Sequence, residues 1–170
     1  EVVGQRLLDI NPRLKLTILN EFLRDERTEE VLSAQKYDFI VDAIDSLSPK
    51  AYLLYHAYRR EIPIVSSMGA GAKIDPSQVK IADISKTCNC ALAKAVRKRL
   101  RGMGLNKGIP VVFSTEIANP EAVVEVENEQ CKRTTTGTVS YMPAIFSCYL
   151  ASYVIRNIPV NDEDIFDACV

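Results

Sequence analysis

At 170 residues, 47% hydrophobic and 25% charged, the chain can bury a core of ordinary single-domain size, and its composition excludes intrinsic disorder. A net charge of −1 selects no partner by itself, and no run approaches the roughly 20 apolar residues that span a bilayer. The five cysteines are odd in number and form no C-x-x-C pairs, which excludes a zinc ribbon and points to reduced thiols in a cytoplasmic protein. The opening Glu1-Val2-Val3-Gly4 has neither the basic nor the apolar region of a secretion signal. It also lacks an initiator Met, so the chain is expected to be a fragment or to have lost its start.

Residues 2–10 read as the end of an amphipathic helix, with Val3, Leu7, Leu8 and Ile10 on one side and Asn11-Pro12 as its stop. Residues 14–19 alternate like a strand. Residues 28–34 make a short helix with Thr28 as its N-cap. Residues 38–43 form the next strand, whose near-continuous apolar character predicts burial on both faces. Ser46 or Ser48 caps a helix that carries Pro49 in its first turn and runs to about Arg60. A strand at 62–66 leads into the loop 68–77 with Gly69 and Gly71, and a short strand follows at 80–84. Residues 89–103 are a strongly amphipathic helix, residues 111–114 a strand after Pro110, and residues 117–137 a polar stretch without pattern. Residues 142–155 read as a largely buried helix, and residues 161–170 as a mobile acidic tail. Strands alternating with helices predict an α/β, Rossmann-like domain with a mostly parallel sheet over 1–157, followed by an acidic C-terminal tail, 158–170.

In such a sheet, ligands bind beyond the carboxyl ends of the strands. The carboxylates at the end of the 38–43 strand, Asp42 and Asp45, therefore mark a candidate site. A magnesium ion takes one or two carboxylates plus substrate phosphates, and Asp45 is the better placed of the two. Asp42 lies within the strand and pairs with a neighbour or caps a turn. The simpler reading of Asp45 is an acid at a helix N-terminus, favoured by the helix dipole. Lys50, one turn into that helix, either reaches the same pocket or is solvated, and sequence alone favours solvation. Phe22, Leu23 and Arg24 follow the 14–19 strand, where an adenine ring would lie; core packing explains the first two equally well.

The 89–103 helix carries a second signal. Leu92, Val96, Leu100 and Met103 form its apolar stripe, and Lys94, Arg97, Lys98 and Arg101 share the opposite face. A basic stripe in an acidic chain suits a nucleic-acid backbone, and it equally suits plain solvation. Acidic residues between 116 and 129 and in the tail would repel phosphate, so a nucleic acid would approach from the basic side. His56, the only histidine, lies inside a helix and reads as structural. Cys88-x-Cys90 is a weak metal signal and reads as incidental. Cys131 is followed by Lys132 and Arg133; it is either a thiol activated by those cations or an inert surface one.

Several segments together resemble the ThiF/MoeB/HesA family of adenylating enzymes, and within it the tRNA threonylcarbamoyladenosine dehydratase branch. They are Asp42-Ala43-Ile44-Asp45-Ser46 with Pro49-Lys50, Gly69-Ala70-Gly71-Ala72-Lys73-Ile74-Asp75-Pro76, Ala82-Asp83-Ile84-Ser85-Lys86-Thr87, Leu92-Ala93 with the basic helix, Val111-Val112-Phe113-Ser114-Thr115-Glu116, and Gly137-Thr138-Val139-Ser140-Tyr141-Met142-Pro143. The resemblance implies an N-terminally truncated ThiF-type domain, whose family glycine loop, arginine finger and ATP-binding lysine would precede Glu1. It implies ATP and Mg2+ as cofactors and an acyl-adenylate as intermediate. Asp45 matches the family's magnesium and ATP aspartate, with Ser46 and Lys50 beside it and Phe22 to Arg24 where the family contacts adenine. The basic helix would serve tRNA. Ring closure of a threonylcarbamoyl group on tRNA would be the reaction, performed by a homodimer, and this chain alone would be inactive. The alternatives are adenylation of the C-terminus of a ubiquitin-like or sulfur-carrier protein, and a non-enzymatic dimerisation or binding module. A sulfur-transfer protein would be a further partner if Cys131 takes part. One departure is local: Asn89-Cys90 stands where the family has Asp-Pro, so the turn before the basic helix is expected to differ.

Overall fold

The computed structural model describes residues 2–119, 122–125 and 134–158. Cys131 and the tail acids Asp162, Glu163, Asp164 and Asp167 lie outside the described residues. The described chain runs α1 (Val2–Ile10), α2 (Asp25–Ala34), β1 (Ile40–Asp42), α3 (Leu47–Arg59), β2 (Ile64–Ser67), β3 (Val79–Asp83), α4 (Ala91–Gly102), β4 (Pro110–Ser114), β5 (Val123–Glu125), β6 (Thr134–Thr136) and α5 (Tyr141–Asn157). Short 3-10 turns flank β3 at Pro76–Gln78 and Ile84–Lys86.

Four strands form one sheet in the order β1-β2-β4-β3. β1 pairs with β2 and β2 with β4 in parallel, while β3 runs antiparallel to β4 along the far edge. The segment β1-α3-β2 is a βαβ unit, in which the helix carries the chain back so that the second strand can run parallel to the first. The mixed α/β layering predicted from sequence is thus present, with one antiparallel edge strand. β5 and β6 pair separately.

Side chains alternate across the pleat and divide the core in two. Ile40, Ile64, Val111 and Phe113 face α3 and α4, where they meet Leu54, Ala57, Val96 and Leu100. Val65, Val79 and Val112 face the other way, onto Met142, Phe146 and Leu150 of α5. Those three residues of α5 are spaced by four and so share one stripe, leaving much of the helix's outer side exposed. Each fully buried aliphatic side chain contributes about 1.5–3 kcal/mol relative to exposure.

Five expectations need correction. Residues 142–155 are not a largely buried helix, because only Met142, Phe146 and Leu150 of α5 are buried. Residues 14–19 form no strand: no ladder partner lies beside them among the described residues, and Ile18 and Leu19 stay exposed. β1 is not buried on both faces. α5 covers β2, β4 and β3, so Val41 on the β1 edge remains 51% exposed. Thr28 is not an N-cap, because α2 begins at Asp25 with Arg24 in the cap position. Thr28 is instead buried inside the helix, its hydroxyl without a hydrogen-bond partner. The 3-10 turn and β3 take up 76–83, so β3 starts one residue before the expected 80 and ends before Ile84.

Candidate functional site

The carboxyl ends of the three parallel strands β1, β2 and β4 converge on one rim of the sheet, and the loops that follow them build the candidate site. Asp42 is the last residue of β1 and alternation turns its carboxylate inward, so that the side chain is fully buried. Its Oδ2 accepts hydrogen bonds from Lys50 Nζ at 2.5 Å and from Ser66 Oγ of β2 at 2.5 Å. Its Oδ1 accepts from the Ile44 amide at 3.0 Å, closing the turn that leads to α3. Lys50 is also fully buried. It lies in helical phase with Leu53, Leu54 and Ala57, all on the core face of α3.

A buried charge pair costs desolvation that only close pairing and further hydrogen bonds offset. Burial pushes the Lys50 ammonium below its ordinary pKa, and the Asp42 carboxylate opposes that shift, with smaller help from Asp45 and Cys90. Lys50 is therefore not solvated, as sequence alone suggested, but is an internal cation beneath the rim. The signal that would have found it is its phase with the buried residues of α3, read together with an acid eight residues earlier.

Asp45 stands above this pair, exposed, with the Ser46 hydroxyl 3.4 Å from its Oδ1. Ser46 occupies the N-cap position of α3 without bonding a helix amide through its side chain. The first turn of α3 therefore has no side-chain cap from Ser46, and the positive end of a helix dipole favours an anion. Phe22 is 50% exposed, Leu23 is half-buried, and the Arg24 guanidinium carbon lies 4.9 Å from the centre of the Phe22 ring. They sit in the irregular segment before α2, not at the end of a strand.

The rest of the rim is stitched by a lysine that sequence reasoning did not single out. Lys73, 2% exposed, donates to the backbone carbonyls of Asn89 and Glu116. It ties the loop after β2 to the turn before α4 and to the loop after β4. Burial depresses its pKa, opposed in smaller measure by Cys90, Glu116 and Cys88. Glu116 returns the bond: its carboxylate accepts the amides of Ile74 at 3.0 Å and Asp75 at 3.0 Å. Asp75 in turn caps the next 3-10 turn through the Ser77 amide at 2.9 Å. Tyr141, at the start of α5, donates its hydroxyl to the Ile74 carbonyl at 2.8 Å. Gly71 has no room for a side chain, because a Cβ there would lie 2.9 Å from the Cβ of Thr136. Lysines in loops carry no periodicity, so only their motif neighbours could have drawn attention to Lys73.

The turn before α4 is built from Asn89 and Cys90. Asn89 takes a positive φ of 49° and its side-chain amide donates to the Thr115 carbonyl at 2.7 Å. Cys90 then caps α4, its sulfur accepting the Ala93 amide at 3.5 Å. Cys88, Cys90 and Cys148 carry no disulfide. On α4 itself, Lys94, Lys98 and Arg101 are exposed and follow one another at helical spacing. Arg97 departs from this face. It is half-buried and donates to the Thr87 carbonyl at 2.9 Å and to the Thr87 hydroxyl, fastening α4 to the turn that precedes it. Ala93 joins Val96 and Leu100 on the buried stripe, whereas Leu92 and Met103 are only half-buried. Among the described residues, no group of three or more His, Cys, Asp or Glu side chains forms a metal cage, and no helix is long and apolar enough to cross a membrane.

A βαβ sheet with an acidic first rim and residues 1–166 matching the model of the ThiF family decide the affiliation. The chain belongs to the ThiF family. Among its ThiF-type relatives, the tRNA threonylcarbamoyladenosine dehydratase of Bacillus subtilis (strain 168) is 32% identical over 165 residues, covering 93% of this chain and 65% of the relative. The protein of the same name from Escherichia coli (strain K12) is 37% identical over 123 residues, covering 68% of this chain and 46% of the relative. The crystal structure of E. coli tRNA N6-threonylcarbamoyladenosine dehydratase in complex with AMP superposes with a TM-score of 0.79 at 30% identity, over 92% of this chain and 62% of that one. The same enzyme in complex with ATP gives a TM-score of 0.78. The ThiF-type, Rossmann-like fold expected from sequence is thereby established. The chain spans 65% or less of the length of these two curated relatives.

Proposed function

We propose that the whole protein is an ATP-dependent dehydratase that cyclises threonylcarbamoyladenosine in tRNA through an acyl-adenylate. The observation that carries this reading is the likeness to dehydratases of that name over more than nine-tenths of this chain, in sequence and in fold. In the proposed reaction the threonylcarbamoyl carboxylate attacks the α-phosphate of ATP and expels pyrophosphate. A nucleophile within the same group then attacks the activated carbonyl, the carbonyl–oxygen bond to AMP breaks, and the ring closes.

The residues of this chain supply position and charge. Asp45 and Ser46 offer hard oxygen donors at the rim, which fits a magnesium ion that takes one or two carboxylates and leaves its other positions to phosphates and water. Such an ion, bound with ATP, would neutralise phosphate charge. Lys50, locked to Asp42 in a buried ion pair whose charges offset each other, would fix the floor of the rim where ATP binds. Phe22 with Arg24 stacked over it, and Leu23 beside them, offer a face for the adenine ring. Lys94, Lys98 and Arg101 would meet the tRNA backbone, with Arg97 holding α4 in place behind them. A homodimer and a cytoplasmic location belong to the same reading, as does a sulfur-transfer partner acting through Cys131.

The test is ATP–pyrophosphate exchange and AMP release by the whole protein, with and without tRNA that bears threonylcarbamoyladenosine. AMP release should depend on that tRNA, and Asp45→Ala should lower it by about 100-fold or more. Exchange that ignores tRNA and answers to a small carrier protein would replace this reading with carrier activation. Absence of any ATP turnover would leave a binding or dimerisation module.

A further inference from the structure

The basic helix borders a cavity that none of the site residues above explains. Between α3 and α4 lies a groove of 500 Å3. Leu47, Ala95 and Met103 line its apolar part, and Tyr52, Lys98 and Arg99 line its polar part. Tyr52 is half-buried and its ring is held from two sides. His56, one turn on, stacks near it at 6.3 Å between ring centres and 19° between planes. The Arg99 guanidinium carbon lies 5.7 Å from the ring centre, and its Nη2 is 3.4 Å from the phenol oxygen. That geometry puts the guanidinium toward the hydroxyl edge of the ring, and both side chains line the groove.

The electrostatics of the groove have one sign. Neither α3 nor α4 contains an Asp or Glu, and α4 presents Lys94, Lys98, Arg99 and Arg101 as exposed cations. An apolar slot with an aromatic wall and cations on its rim matches one ligand chemistry closely. A nucleotide has a flat apolar base, which stacks on an aromatic or guanidinium plane, and a phosphate on either side of it. A base paired within a helix cannot enter such a slot, so the ligand must be unpaired.

We propose that the α3–α4 groove is a stacking site for one unpaired nucleotide of an RNA strand, with Tyr52 and Arg99 holding the base and Lys98 an adjoining phosphate. The inference rests on the tRNA reading above and adds to it a defined pocket and a requirement for single-stranded character.

The experiment uses the whole protein and two fluorescein-labelled probes, a tRNA transcript and a fully paired RNA duplex of similar length, with affinity read by anisotropy across a salt series. Tyr52→Ala should weaken the transcript by about tenfold and leave the duplex within about twofold. Tyr52→Phe, which keeps the ring, should restore transcript binding. The exposed variant Lys98→Glu should weaken both probes and reduce the salt slope by about one ion or more. If Tyr52→Ala binds the transcript like the parent, the groove proposal fails whatever Lys98→Glu does, while the tRNA reading stands. If Tyr52→Ala weakens duplex and transcript alike, base stacking is wrong. If the parent itself binds no tRNA, the functional reading fails and the groove proposal with it.

Discussion

Asp42 carries three hydrogen bonds on two oxygens in a place that water does not reach, and one of its donors is a buried ammonium. Removing one partner of such a pair leaves the other charge uncompensated, which costs about 3–5 kcal/mol. Asp42→Asn should therefore lower stability by that order, measured as the shift in a urea unfolding transition. Lys50→Met in the same background should recover part of the loss, since a buried pair is often replaced by apolar side chains at little cost. Full additivity of the two substitutions would mean that the pair is not coupled. Much of this arrangement was readable beforehand, because Asp42 ends an apolar strand and an acid there must pair. The partner was not, because the pattern of α3 was read for its apolar residues alone. Lys50 lies on the same face as Leu53, Leu54 and Ala57, and a charged residue in an apolar phase signals a buried partner rather than a solvated tip.

Among the elements, the helices were more legible than the strands, for a physical reason. An amphipathic helix satisfies its own backbone and shows its buried face in its own spacing, as α4 does with Ala93, Val96 and Leu100. A strand exists only against a partner, so residues 14–19 alternate without joining a ladder. The direction of β3 was equally hidden, since nothing in a five-residue run shows whether its neighbour runs parallel or antiparallel. The candidate site divides in the same way. Its strand-end acid is visible in sequence, while the loop lattice of Lys73, Glu116 and Asp75 follows from three-dimensional closure. Glu116 is the element-scale test of that lattice. Glu116→Ala leaves the Ile74 and Asp75 amides without their acceptor, at a local cost of about 1–3 kcal/mol. Hydrogen exchange should show faster exchange at those two amides, with the core strand β2 unaffected. Unchanged protection at Ile74 and Asp75 would mean that these bonds are not formed in solution.

For the whole molecule, the charged groups set a pH window. Asp75 is held below its ordinary 3.8 by hydrogen bonds from Ser77 and Gln78. Burial works against the charge of Asp83, but the Ser85 hydroxyl and the amides of Ser85, Gly108 and Ile109 prevail and hold it below 3.8 too. The hydrogen bond from Arg27 lowers Glu21 from 4.5. Each contributes stability that is present above its unfolded value and lost as pH falls through its folded one. Lys50 and Lys73 act with the opposite charge. Their folded values lie below 10.5, so the unfolded chain binds more protons between the two values and their contribution rises with pH there. The urea midpoint should thus fall as pH drops below about 4, and Asp83→Asn should flatten that fall. An acid limb of equal steepness in the variant would remove Asp83 from the account. The position of Lys73 has a consequence of another kind. One ammonium holds two carbonyls from separate crossings of the same rim, and its own loop is the third strand of the knot. Outward movement of any one of these loops breaks at least one bond to the Lys73 ammonium, and movement of its own loop breaks both, so three stretches distant in sequence share a single point of attachment.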